Sequence, residues 1–288
     1  MSSARFAWAK GHGTENDFVL LPDPDGTVHG ELTPTFTAAL CDRRRGIGAD
    51  GVIRVVRSDG YDDPRAVAAA AGGATWFMDY RNADGSLAQM CGNGIRVLAR
   101  WLAEEKLVDP AAELAIGTRD GTKQVTYDSG GSATGTISVD MGVPEIRAGT
   151  WIELDGRRLD AVHVDTGNPH AVAVVDDLGG VGRWDTPPAY DHATYPDGVN
   201  VELVQRAGWR HVRMRVHERG SGETRSCGTG VCAVAVAQAD ADAAGRPATY
   251  RVDVPGGRLE VTWRDDDHVV LTGPAVVVAR GELCWSGR

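Results

Sequence analysis

Long apolar runs are missing from this chain. No stretch reaches the about 18 consecutive apolar residues that cross a bilayer, and the opening residues, MSSARFAWAK, lack an apolar core of signal-peptide length. Positive charge is in deficit, with 30 Lys and Arg against 40 Asp and Glu, a net charge of −10. That balance argues against nucleic acid or an anionic membrane as partner, while a local site can still take an acidic small molecule. The default expectation is a cytoplasmic protein. Lysine is the scarcest charged type: only Lys10, Lys106 and Lys123. An enzyme built on pyridoxal phosphate needs a Schiff-base lysine. None of the three stands in an obvious phosphate-cradling context, Lys10 beside Gly11-His12-Gly13 being the nearest. Closely spaced cysteine pairs of the Cys-x₂-Cys kind, the mark of structural zinc, are absent as well. The five cysteines, Cys41, Cys91, Cys227, Cys232 and Cys284, form an odd set and read as free thiols.

Short β-branched or alternating runs recur throughout, separated by Asp-Gly and Gly-Gly turn signals. They include Phe18–Leu21, Gly51–Val56, Ala74–Tyr80, Thr136–Met141, Ala171–Val175, Val201–Gln205, His211–Glu218 and Leu259–Trp263. Helix signals are few. Thr33-Pro34 reads as an N-cap with proline at the first helical position, and Gly46 closes that helix beside the basic run Arg43–Arg45. Two more helices are expected over about Gly92–Lys106 and Gly228–Ala244. The alanine-rich stretch Gly60–Gly73 reads as an inserted surface loop, and Asp128–Ser132 as a hairpin turn.

The last two helices begin with the same junction. Met90-Cys91-Gly92-Asn93-Gly94 is echoed by Ser226-Cys227-Gly228-Thr229-Gly230. Asn82 in Asn-x-Asp-Gly-Ser precedes the first cysteine by the same interval as Glu218 in Glu-Arg-Gly-Ser-Gly precedes the second. Farther upstream, Asn16 aligns weakly with Asn168 once the alanine-rich insertion is allowed for. A duplicated domain fits, each half mostly strands around one helix. The expected division is residues 1–134 and 135–273, near Thr134–Thr136. A last strand near Ala275–Leu283, within 274–288, has the option of returning to the first half.

A cysteine at a helix start lies among unpaired N–H groups at the positive end of the helix dipole. That placement is expected to lower a thiol pKa from about 8.5 toward neutrality. The free N–H groups bind a carboxylate or phosphate. One such junction alone reads as a tight helix entrance. Two in matched halves suit two opposed acid–base groups, which inversion of a carbon centre by proton transfer requires.

The stretches KGHGTENDF (Lys10–Phe18), CDRRRGIGADG (Cys41–Gly51), YRNADGSLAQMCGNGIR (Tyr80–Arg96), GNPH (Gly167–His170), GVNVE (Gly198–Glu202) and HERGSGETRSCGTG (His217–Gly230) together resemble the diaminopimelate epimerase family. The resemblance runs in the family's order from residue 10 to residue 230. It implies an α+β fold of two pseudo-symmetric domains, each a β-barrel-like sheet around a central helix, with the site in the cleft between them. It implies interconversion of LL- and meso-diaminopimelate without cofactor or metal, in lysine and peptidoglycan precursor biosynthesis. Carried over by position, Cys91 and Cys227 become the acid–base thiols, tuned by His170 and Glu218 respectively. Asn16, Asn82, Asn168, Asn200, Glu218 and Arg219 hold the substrate's amino and carboxylate groups. The N–H groups of Gly92, Asn93, Gly228 and Thr229 bind the carboxylate at the reacting carbon. The expected partner is that small molecule, with a homodimer as the assembly expected alongside.

Two positions depart from the pattern: Gly51, where many relatives carry glutamine, and Glu15, where glycine usually precedes Asn-Asp-Phe. The remaining thiols, Cys41, Cys232 and Cys284, read as buried small hydrophobes. Two rival readings remain at this stage: a proline or hydroxyproline racemase of the same fold group, and a metal-binding module using Cys91, Cys227, His170 and Glu218.

Overall fold

The computed structural model describes residues 4–128, 135–182, 184 and 186–285. In chain order the elements are β1 (Ala4–Gly13), β2 (Asn16–Pro22), α1 (Pro34–Cys41), β3 (Gly51–Arg57), α2 (Pro64–Ala71), β4 (Trp76–Asn82), α3 (Gly92–Glu104), β5 (Leu114–Thr118), β6 (Gly121–Tyr127) and β7 (Ile137–Gly142). They continue with β8 (Glu145–Leu154), β9 (Arg157–Asp165), β10 (Pro169–Val174), β11 (Ala189–Tyr190), β12 (Asn200–Gly208), β13 (His211–Glu218), β14 (Gly222–Thr224), α4 (Gly228–Ala241), β15 (Ala248–Val254), β16 (Gly257–Trp263), β17 (Val269–Gly273) and β18 (Val276–Trp285). The turn expected at Asp128–Ser132 lies, after Asp128, outside the described residues, as does Thr134.

The chain forms two compact units, residues 1–139 with 274–288 and residues 140–273. In the first unit the ladder runs β18, β1, β2, β3, β4, β5, β6, β7. Its neighbours are antiparallel except for the parallel pairs β2·β3 and β4·β5. In the second unit the ladder runs β8, β9, β10, β12, β13, β15, β16, β17, with β10·β12 and β13·β15 parallel and the rest antiparallel. The two patterns match strand for strand. The place that β8 fills in the second unit is filled in the first by β18, from the far end of the chain.

One helix packs inside each ladder. α3 lies against β1, β2, β3, β4 and β18, and α4 against β9, β10, β12, β15, β16 and β17. Both are buried nearly all round, α3 from Gly92 to Leu102 and α4 over most of Gly228 to Ala239. A helix enclosed by strands gains its stability from packing rather than propensity. That is why α4 tolerates the β-branched Val231, Val234 and Val236, and why its small side chains suit a narrow interior. α3 instead buries two arginines. Arg96 donates back to Gly92 O (2.9 Å) and Asn93 Oδ1 (2.8 Å), and Arg100 donates to Ala275 O (3.1 Å) and to Gly135 O.

Three expectations need correction. The alanine-rich stretch is not a loop. It contains α2, capped by the Asp63 side chain on Arg65 N (2.8 Å), with Ala66 and Ala69 buried against Val56, Ala74 and Phe77. α1 ends at Cys41, where the backbone turns extended at Asp42, so the basic run follows the helix and does not form its last turn. Cys41 and Cys232 are buried, but Cys284 on β18 is exposed.

Candidate active site

In the first unit the candidate residues gather where β1, β2 and α3 meet. Cys91 adopts an extended backbone (φ −145°, ψ 116°) and caps α3, its Sγ accepting from Gly94 N at 3.4 Å. Asn16, at the start of β2, places Oδ1 3.8 Å from Cys91 Sγ and 3.1 Å from Asn93 Nδ2, so one amide oxygen gathers the thiol and the first helical turn. Its Nδ2 donates to Asp50 Oδ2 at 2.9 Å. Gly92 and Asn93 belong to the first turn of α3, whose N–H groups have no partner within the helix. Asn82 closes β4. Its Oδ1 accepts from the Tyr80 hydroxyl (3.1 Å) and its Nδ2 donates to Ser86 Oγ (3.0 Å).

Beside this lies an ion-pair cluster. Lys10 reaches Asp17 (3.0 Å) and Gly48 O (2.6 Å), and Arg43 bridges Asp17 and Asp50 at 2.7 Å each. Burial alone would raise the Asp17 carboxyl, but the Arg43 and Lys10 hydrogen bonds and charges overcome it and hold the group at about 2. Lys10, the lysine with the glycine-rich setting, is thereby held within this cluster. Cys41 nearby is pushed up to about 12 by burial and by the charges of Asp17 and Asp50, so it stays a thiol.

In the second unit the candidate residues gather on and around β10, β12, β13 and α4. Cys227 caps α4 with the same extended backbone (φ −123°, ψ 115°), accepting from Gly230 N at 3.4 Å and lying 3.4 Å from Thr229 Oγ1. Gly228 and Thr229 open the helix. The expected lowering of the thiol does not hold here. Burial raises the Cys227 pKa well above its ordinary value, and the charges of Glu218 and Glu202 add to it. The Thr229 and Gly230 hydrogen bonds oppose this without winning. Glu218, at the end of β13, accepts from the Thr224 hydroxyl.

Asn200 donates to Pro169 O (3.1 Å) and accepts from Arg219 N (3.0 Å), tying the start of β10 to the residue that follows β13. The Arg219 stem lies over Gly198, where φ is +88° and an added Cβ would come 2.9 Å from Arg219 Cδ. His170 is fully buried, with Nδ1 2.6 Å from Glu202 Oε1 and Nε2 3.0 Å from Asn168 Oδ1. Asn168 is thus engaged with His170.

The diaminopimelate epimerase family model matches residues 8–147 and 162–278. A diaminopimelate epimerase from Streptomyces coelicolor is 53% identical over 98% of this chain and 96% of its own length. The chain belongs to the diaminopimelate epimerase family. Among solved structures, a Bacillus anthracis phenazine biosynthesis protein of the PhzF family shares the fold at TM-score 0.70 and 17% identity, covering 97% of this chain and 99% of that one. A hydroxyproline epimerase from Agrobacterium vitis shares it at TM-score 0.67 and 13% identity, over 98% and 93%. No described helix is long and apolar enough to cross a membrane.

Both family departures have a local physical account. An added Cβ at Gly51 would come 2.6 Å from Tyr80 Cε2 and 2.6 Å from Arg81 O. The Tyr80 ring therefore fills the space a side chain at 51 would need, and its hydroxyl takes hold of Asn82. Thr14 and Glu15 form a two-residue turn between β1 and β2 with positive φ at both positions, +50° and +61°. Glycine fits that turn without strain, whereas Glu15 occupies the left-handed region at a cost.

Sequence reasoning missed Glu202, Tyr80 and Arg96. Glu202 lay inside the quoted GVNVE motif, but the alternation of Val199, Val201 and Leu203 assigns it to an outer face. Tyr80 and Arg96 are visible only through their partners in space.

Proposed function

We propose that the chain is a cofactor-independent epimerase interconverting LL- and meso-diaminopimelate, with Cys91 and Cys227 as its two proton carriers. The observation that carries the reading is the doubled junction: each unit seats one cysteine as N-cap of a buried central helix. Beside each thiol lie first-turn N–H groups without helical partners. In one direction a thiolate takes the proton from the α-carbon, leaving the bonding pair on carbon, and the other thiol delivers its proton to the opposite face. The helix N-termini stabilise the charge that grows on the adjacent carboxylate.

Burial and two carboxylates favour the thiol form of Cys227 before substrate binds, which suits it to be the proton donor in one direction of the reaction. Cys91 is then the base in that direction, and His170 is the imidazole assigned to tune the thiol chemistry. Asn16, Asn82, Asn168, Asn200 and Arg219 recognise the substrate's polar ends, Arg219 by a bidentate grip on a carboxylate. Homodimer assembly and a cytoplasmic location, where thiols remain reduced, belong to the same reading.

The test is turnover in heavy water. Product from either diastereomer is expected to carry deuterium at the inverted carbon, and trans-4-hydroxyproline is expected to be inert. Cys91→Ala and Cys227→Ala should each lose at least about 10²–10⁴-fold in turnover. Near-normal epimerisation by either variant would overturn the two-base reading.

A further inference from the structure

The matching ladders allow the two units to be compared residue by residue. In the first, Phe18 on β2 pairs with Gly51 on β3, and Leu20 with Ile53. In the second, His170 on β10 pairs with Asn200 on β12, and Val172 with Glu202. His170 therefore stands where Phe18 stands, and Glu202 where Ile53 stands. Both sets lie beneath the second glycine of the cysteine junction. An added Cβ at Gly94 would meet Ile53 Cδ1 at 3.1 Å and Phe18 Cε1 at 3.5 Å, whereas one at Gly230 would meet Glu202 Oε1 at 2.5 Å.

One fold thus packs the same layer in two ways. The first unit uses two apolar side chains, and the second uses a carboxylate and an imidazole, both fully buried. Replacing a buried polar or charged pair by apolar side chains of similar volume is often neutral or stabilising. Stability does not explain the exchange. Glu202 Oε2 is also buried with no hydrogen-bond partner, so the acidic group is held chiefly by the His170 ring and the positive end of α4.

We propose that Glu202 is a positioning residue: it fixes a proton on His170 Nδ1 and so confines proton exchange to Nε2. An ionised carboxylate only accepts hydrogen bonds, and a bare Nδ1 facing it at 2.6 Å would set lone pair against lone pair. The Nδ1 proton therefore stays in both charge states of the ring. Nε2 faces Asn168, whose amide can accept from Nε2–H or, turned over, donate to the bare nitrogen. Asn168 can thus follow the ring through a proton cycle that Glu202 keeps at one nitrogen. Among the described titratable groups, His163 on β9 lies in the field of His170, and Tyr195 and Cys227 lie in the field of Glu202.

The catalytic half of this inference rests on the reading of His170 given above, and the experiment separates the two. Nitrogen-15 spectra of the imidazoles in the full chain, with the His170 signals assigned from His170→Gln, are expected to show Nδ1 protonated across the titration while Nε2 moves. A neutral ring protonated at Nε2 would overturn the proposal in the unmutated protein, whatever any variant does. In Glu202→Gln, the Nδ1 and Nε2 tautomers are expected to mix and turnover to fall by about 10–100-fold, the range for outer partners that orient ligand histidines. An unchanged tautomer in that variant would overturn the positioning role. A changed tautomer with unchanged turnover would uphold the positioning role and overturn the catalytic role of His170.

Discussion

Single side chains decide how closely the two units resemble each other around their cysteine junctions. Asn82 and Glu218 occupy matching ladder positions, the first opposite Gly51, the second in line with Asn200. Each is held by a neighbouring hydroxyl, from Tyr80 and from Thr224. Tyr80→Phe is expected to leave the fold intact and raise KM more than it lowers kcat, because it releases the Asn82 amide, proposed to bind substrate, and removes no proposed proton carrier. Gly51→Gln should cost about 1–3 kcal/mol in urea unfolding, the usual penalty for overpacking, since its Cβ has nowhere to go. Glu15→Gly should stabilise by about 0.5–1 kcal/mol. Relief of a left-handed residue, about 1–2 kcal/mol, exceeds the added chain entropy of glycine, about 0.5–1 kcal/mol. As candidates, the cysteines were legible because a repeated motif singles them out, and His170 and the asparagines because the family resemblance carries them over. Glu202 was not, because alternation reads one face of β12 as solvent. In the structure α4 covers that face, and the opposite face packs against Ile152, Ala161, Trp184 and Tyr195.

At the scale of elements, the cysteine-capped helices were legible and α2 was not. α3 and α4 begin at the residues that the Cys-Gly-x-Gly pattern marks. α2 carries start signals, Asp63 and Pro64, and a glycine stop, Gly72. Its alanines give no contrast between an apolar and a polar face, so periodicity is silent. What seats it is the absence of a side chain elsewhere: a Cβ at Gly117 on β5 would come 2.5 Å from Ala69 Cβ and 2.8 Å from Phe77 Cδ2. Gly117→Ala is therefore expected to destabilise by about 1–3 kcal/mol in chemical denaturation. Adding Ala69→Gly should restore part of that loss, since only one of the two collisions is removed. Full additivity of the two substitutions would refute direct packing.

For the molecule as a whole, the acid limb of stability should carry the signature of Asp17. Its folded pKa, about 2, lies below the ordinary 3.8, so the stabilisation is fully present above pH 3.8 and is lost as pH falls toward 2. Discounted for its partly solvated partners, the contribution is about 1–2 kcal/mol. Asp17→Asn should flatten the pH dependence of the unfolding free energy in that window and leave its shape near neutrality unchanged. The chain's last strand makes a second test. β18 pairs with nearly all of β1. A chain ending at Ala275 should lose hydrogen-exchange protection in β1 while β12 and β13 keep theirs.

The sequence by itself determined the family, the strand-rich duplicated plan and the two cysteine-capped helices. Those depend on local signals: turn residues, caps and a repeated motif whose residue types have few alternative uses. Only the tertiary structure decided that β18 completes the first unit, that Tyr80 occupies the space over Gly51, and that a His170–Glu202 pair replaces the apolar Phe18–Ile53 layer. These are contacts between residues distant along the chain. Their energies depend on which side chain shares a buried volume with which, and that is settled only when the strands are in register.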